Sequence, residues 1–101
     1  MDDTKAWEIV KKGTGRIHDF TEDEAIIYEE ALLYIFITAA ERYEEDPFYM
    51  WEEDAEAGAF NLAFYYEQIG KYDLAIKYYK ISEKYGCDFA EERIEEIEAR
   101  L

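Results

Sequence analysis

Few side chains in this chain could do covalent or acid–base chemistry. The single histidine, His18, leaves no partner for a catalytic triad or a paired-histidine metal site, and as a lone residue before Asp19 it reads as a solvated loop residue. The single cysteine, Cys87, excludes an internal disulfide and any multi-cysteine zinc site. With no basic neighbour in sequence to hold its thiolate, Cys87 is expected to be inert. Ser82, the one serine, falls at an inward helical position where a small residue is needed for packing. Lys11-Lys12-Gly13-Thr14-Gly15-Arg16 lacks the spacing of a phosphate loop and follows no strand. The acid runs Glu44-Glu45-Asp46 and Glu52-Glu53-Asp54 lack the alternation, the glycine and the distant glutamate of a calcium loop. These residues therefore predict no enzyme, no cofactor and no metal site.

What remains is charge and apolar surface. The 101 residues carry 26 acidic and 11 basic side chains, a formal charge of -15, which repels nucleic acid and anionic lipid alike. Yet 50% of the chain is hydrophobic and 18% aromatic, too apolar for a disordered acidic tail. The longest apolar run, residues 31–40, is about half the roughly 20 residues that span a bilayer. The acidic start has no signal-peptide pattern, so a cytoplasmic protein away from the membrane is expected.

Five helices must position these groups in one domain over residues 1–101. A first helix over about residues 4–12 stops at Gly13-Thr14-Gly15. Thr21 with Glu24 forms a capping box that opens a second helix, apolar at Ala25, Tyr28, Leu32, Ile35 and Ala39 and running to about Glu44. Asp46 as cap with Pro47 in the first turn predicts the start of a third helix, with a stripe of Trp51, Ala55, Ala59, Leu62, Tyr66 and Ile69 that ends at Gly70. The fourth, about residues 72–85, turns Tyr72, Ala75 or Ile76, Tyr79 and Ser82 inward and stops at a left-handed Gly86. Its Lys77, Lys80 and Lys84 are expected to neutralise nearby carboxylates. A capping helix over residues 88–101, started by Asp88 and Glu91, presents Ala90, Ile94, Ile97 and Leu101 to the core. The expected class is all-α, built of stacked antiparallel helix pairs.

The pattern of residues 28–38, Tyr-Glu-x-Ala-Leu-x-Tyr-Ile-x-Ile-Thr, returns from Tyr72 as Tyr-Asp-x-Ala-Ile-x-Tyr-Tyr-x-Ile-Ser. That spacing is one helix pair and a turn. Ala59-x-x-Leu62-Ala63-x-x-Tyr66 followed by Gly70-Lys71-Tyr72-Asp73-x-Ala75-x-x-x-Tyr79 resembles the tetratricopeptide repeat, or its longer Sel1-like relative, over residues 56–87. The helix pair is expected at 56–85 and a degenerate echo at 28–38. Ala59 stands where the family usually has Trp, Ala63 where it has Gly, and Gly86-Cys87 where a Pro often follows.

The resemblance implies an adaptor that binds protein or peptide on the surface of the first helix of each pair. Here that surface offers Ala57, Phe60, Phe64, Glu67 and Gln68, with Glu52, Glu53, Asp54 and Glu56 as an acidic rim. Either Phe60 and Phe64 floor a groove for a hydrophobic or basic peptide, or the chain's own first helix covers them. The alternative function is an inhibitor whose carboxylates mimic nucleic acid phosphate, as an immunity or phage anti-defence protein would. A homodimer is a further expectation, because the second helix is apolar on more faces than one neighbour covers.

Overall fold

The computed structural model describes every residue except Phe48 and Tyr49. All of its regular structure is helical: α1 is Asp3–Gly13, α2 Glu22–Glu45, α3 Trp51–Gln68, α4 Tyr72–Lys84 and α5 Ala90–Arg100, with a short 3-10 turn at Ile17–Asp19. Local chemistry explains most of the boundaries. The Asp2 side chain accepts from the Lys5 amide at 2.8 Å to open α1. At the start of α2 both halves of the capping box form: the Glu24 amide donates to Thr21 Oγ1 at 3.2 Å and the Thr21 amide donates to Glu24 Oε1 at 3.1 Å. The same contact pulls the Glu24 carboxyl below its ordinary range, helped by Arg16.

Helices α3 and α4 end alike. Gly70 and Gly86 adopt φ of +80° and +107°. The residue after each donates back across the turn, Lys71 N–H to the Tyr66 carbonyl at 2.9 Å and Cys87 N–H to the Ser82 carbonyl at 3.1 Å. These are Schellman closures, which need a residue free of a Cβ penalty. The space around Gly86 is open enough for a methyl group, so the cost of filling it is purely conformational. Gly86→Ala should therefore lower stability by about 1–2 kcal/mol, measured as a shift of the urea midpoint. An unchanged midpoint would mean the turn refolds without that conformation.

Two starts differ from the sequence expectation. Asp46 closes α2, its amide donating to the Arg42 carbonyl at 2.8 Å, and Pro47 stands in a turn. α3 begins at Trp51, and the intervening Phe48 and Tyr49 lie outside the described residues. Tertiary contact settles this start: Arg42 pairs with Asp3 at 2.9 Å and lies 5.0 Å from the centre of the Trp51 ring, which ties the beginnings of α1 and α3 to the end of α2. Likewise α5 begins at Ala90 after Phe89, with no side-chain cap from Asp88, and Leu101 is exposed rather than inward. Among the described residues none of Lys77, Lys80 and Lys84 forms an ion pair; Lys77 sits 5.3 Å from the Tyr78 ring centre.

Each helix packs chiefly on its neighbours in sequence, and short turns reverse the chain between them. Cross-contacts then sort the helices into two layers. Phe36 and Tyr43 of α2 meet Tyr78 at 5.8 Å and Tyr85 at 5.9 Å, beside α4, while Arg93 of α5 reaches Glu67 of α3. Odd helices form one layer and even helices the other. The 17 Å thin dimension of the 37 × 31 × 17 Å body is what two layers with axes 8–10 Å apart require. Ala31, Leu32, Ala59, Leu62, Ala63, Ala75, Tyr79, Ala90 and Ile97 fill the seam. Small residues let the helices close in: a Cβ on Gly58 would stand 3.0 Å from the Phe36 backbone. Among the described residues no helix is long and apolar enough to cross a membrane.

Candidate partner-binding surfaces

Helix α3 supplies every side chain the sequence put forward for partner binding, and its periodicity divides them. Ala55, Gly58, Ala59, Leu62, Ala63 and Tyr66 point into the seam. The groups on the flanks of that stripe fall to either side. Phe60 is half-buried against Tyr79 of α4, ring centres 5.3 Å apart and edge-on, so a sister helix packs against its ring. Phe64, one turn on, remains 40% exposed beside exposed Ala57 and Asn61. Gln68 is half-buried.

Glu67 lies inside. Its carboxylate is 6% exposed as a residue and is fully engaged: Arg93 Nη2 donates to both oxygens at 2.9 and 2.8 Å, and Tyr79 Oη donates to Oε1 at 2.8 Å. Arg100 approaches Oε2 at 3.8 Å. A carboxylate so held is unavailable to a partner's cation, so Glu67 joins α3, α4 and α5 instead of lining a groove. Sequence reasoning missed Arg93. The signal was there: it is a lone cation among acids, three residues after Ala90 and four before Ile97, on the flank of the buried stripe.

Glu52, Glu53 and Asp54 stay exposed in the first turn of α3, where negative charge suits the helix dipole, and Glu56 is half-buried behind them. The folded chain adds company that the sequence did not announce. Alternating helix directions bring the end of α2, the start of α3, the end of α4 and the start of α5 to one pole. The Arg42–Trp51 contact, the Tyr43–Tyr85 pair and the hydrogen bond from Ser82 Oγ to the Glu56 carbonyl at 3.0 Å fix that arrangement. Glu41, Glu44, Glu45, Asp88, Glu91 and Glu92 are exposed there too. None of these, nor Glu52, Glu53 or Asp54, forms an ion pair among the described residues. Met50 and Phe89, 57% and 70% exposed, place apolar surface among the acids. At the opposite pole Lys11, Lys12, Arg16, Lys71 and Arg100 stand beside the exposed Asp19, Glu22, Asp23, Glu24, Asp73 and Glu98, so that end is near balance and the excess negative charge lies at the other.

The remaining chemistry-bearing residues are placed plainly. Cys87 is buried, Ser82 is buried with its hydroxyl donating to backbone, and His18 is exposed in the 3-10 turn. Comparison with family models, with characterised proteins and with solved structures gives no match to the chain.

Proposed function

We propose that the chain is a non-enzymatic interaction module that binds a basic protein surface through its acidic pole. The observation that carries this reading is the placement of Glu44 and Glu45. They sit in the last turn of α2, exposed, with only Arg42 as a basic residue there. Acids at that end oppose the helix dipole, each at a cost of about 0.3–1 kcal/mol, and among the described residues no ion pair of their own offsets it. Charge that weakens the chain's own fold has its reason in something the chain meets. Met50 and Phe89 supply apolar contact area, and dense carboxylates give fast, salt-sensitive capture of a basic site. The resemblance of residues 56–87 to tetratricopeptide and Sel1-like repeats supports an adaptor role.

Two effects with opposite signs test the reading. Glu44→Gln with Glu45→Gln should raise stability by about 1 kcal/mol, or roughly 4–8 °C in Tm for a domain of this size. The same change should weaken retention of the partner captured from host lysate. The further variant Glu52→Gln, Glu53→Gln, Asp54→Asn should abolish retention, as should high salt. Retention that survives both salt and charge neutralisation, and falls instead with Phe64→Ala, would overturn the acidic-pole reading and return the binding site to the open face of α3.

A second reading, favoured by the array of unpaired carboxylates on several helix ends, makes the basic surface a nucleic-acid-binding site and the chain its inhibitor. Displacement of the captured partner by nucleic acid distinguishes the two, since an adaptor need not compete with it.

A further inference from the structure

We propose that the cleft between the end of α1 and the start of α2 is a binding site for a small apolar carboxylate, an aryl acid or an alkyl acid of similar volume. The cleft is open to solvent on one side and offers about 220 Å³ at the pole opposite the acidic one. A cavity of about 150 Å³ holds a benzene ring and drug-sized ligands need about 300 Å³ or more. One ring with a short acid arm therefore fits.

The back wall is aromatic and firmly supported. Phe20 and Tyr28 are 5.1 Å apart, and Tyr65 of α3 backs Tyr28 at 5.1 Å. Gly13 brings the end of α1 against that wall so closely that a Cβ there would stand 2.5 Å from the Tyr28 ring and 2.9 Å from Phe20. Ile9 and the 47% exposed Ile27 complete the apolar lining.

Charge decides the ligand's head group. Lys12 and Arg16 also line the cleft, both exposed and neither in an ion pair among the described residues. The one lining acid, Glu24, is held in its charged form by the capping box and by Arg16, which leaves two cations against one carboxylate. The lining is thus net positive in a chain of charge -15. The acidic pole does not cancel it: the 24 residues of α2 separate the two by about 36 Å, several times the screening length of about 8–10 Å in physiological salt. An apolar pocket with cations at its mouth selects an apolar body with an anionic head. Carboxylate is the anion whose two oxygens the Arg16 fork can match.

The test titrates the intact chain with phenylacetate and with its neutral isostere phenylacetamide, followed by amide resonances in two-dimensional NMR. Saturable shifts are expected at Gly13, Ile27 and Tyr28, with phenylacetate bound at least tenfold more tightly than the amide. Lys12→Met with Arg16→Met should erase that preference while leaving the helical circular dichroism unchanged and lowering Tm by only a few degrees, since Lys12 leaves the last turn of α1 and Arg16 the neighbourhood of Glu24. Equal affinity for acid and amide, a preference that survives in the double variant, or shifts centred away from the cleft would each overturn the proposal.

Discussion

Glu67→Ala is expected to lower the stability of the domain by about 3 kcal/mol, the low end of the 3–5 kcal/mol seen when one partner of a buried ion pair is removed. The low end applies because the Arg93 side chain is 30% exposed while that of Glu67 is 3% exposed. Without the carboxylate, the Arg93 guanidinium and the Tyr79 hydroxyl lose their acceptors inside the α3, α4 and α5 junction. Each unsatisfied group adds its own desolvation penalty. The geometry is already imperfect, since Arg93 Nε is buried with no acceptor among the described residues. Replacing the whole set, Glu67→Leu with Arg93→Met and Tyr79→Phe, should accordingly restore stability to near the parent value. Apolar groups of similar volume carry no such penalty. Urea unfolding of the single and triple variants measures both effects. A loss below about 1 kcal/mol for Glu67→Ala would mean that Arg93 swings into water and that the junction does not depend on the pair.

The network also marks the limit of what the sequence made legible. The capping box at Thr21 and the glycine closures after α3 and α4 rest on interactions within five residues, and the inward face of Ala75, Tyr79 and Ser82 follows from helical spacing. Local pattern suffices for those. The start of α3 does not: Asp46-Pro47 carries a strong local signal, yet Arg42 and Trp51 meet only once α1, α2 and α3 are assembled. Asp88 does not cap α5, which begins at Ala90 with Phe89 at the cap position and no side-chain hydrogen bond there. Glu67 was legible as a polar residue beside a buried stripe, which fits either a groove or a buried pair; the partner that decides between them is 26 residues away. The acidic pole was likewise invisible as a unit. Its residues come from four helix ends, and only alternating helix direction gathers them.

The same buried hydroxyls predict alkaline unfolding. Burial pushes the Tyr66 and Tyr79 hydroxyls well above the ordinary tyrosine range. The Glu29 charge adds to this at Tyr66 and the hydrogen bond to Glu67 adds at Tyr79. In the unfolded chain both titrate near 10. Below that pH both states hold the proton, and stability does not depend on these groups. Above it the unfolded chain releases protons that the native state retains. The unfolded state then binds fewer protons and stability falls by about 1.4 kcal/mol per pH unit for each tyrosine. For the pair that is about 2.7 kcal/mol per unit, enough to consume most of the 5–15 kcal/mol that holds a domain together within a few units. Burial raises Tyr28 and Tyr65 in the same direction and steepens the fall. Urea midpoints followed from pH 8 to pH 11.5 should stay level and then drop beyond about pH 10. The variant Tyr66→Phe, Tyr79→Phe should drop less steeply by the contribution of those two groups. If instead helical signal persists while all the tyrosinate absorbance develops around pH 10, the hydroxyls are open to water and the seam between α3 and α4 is looser than its packing indicates.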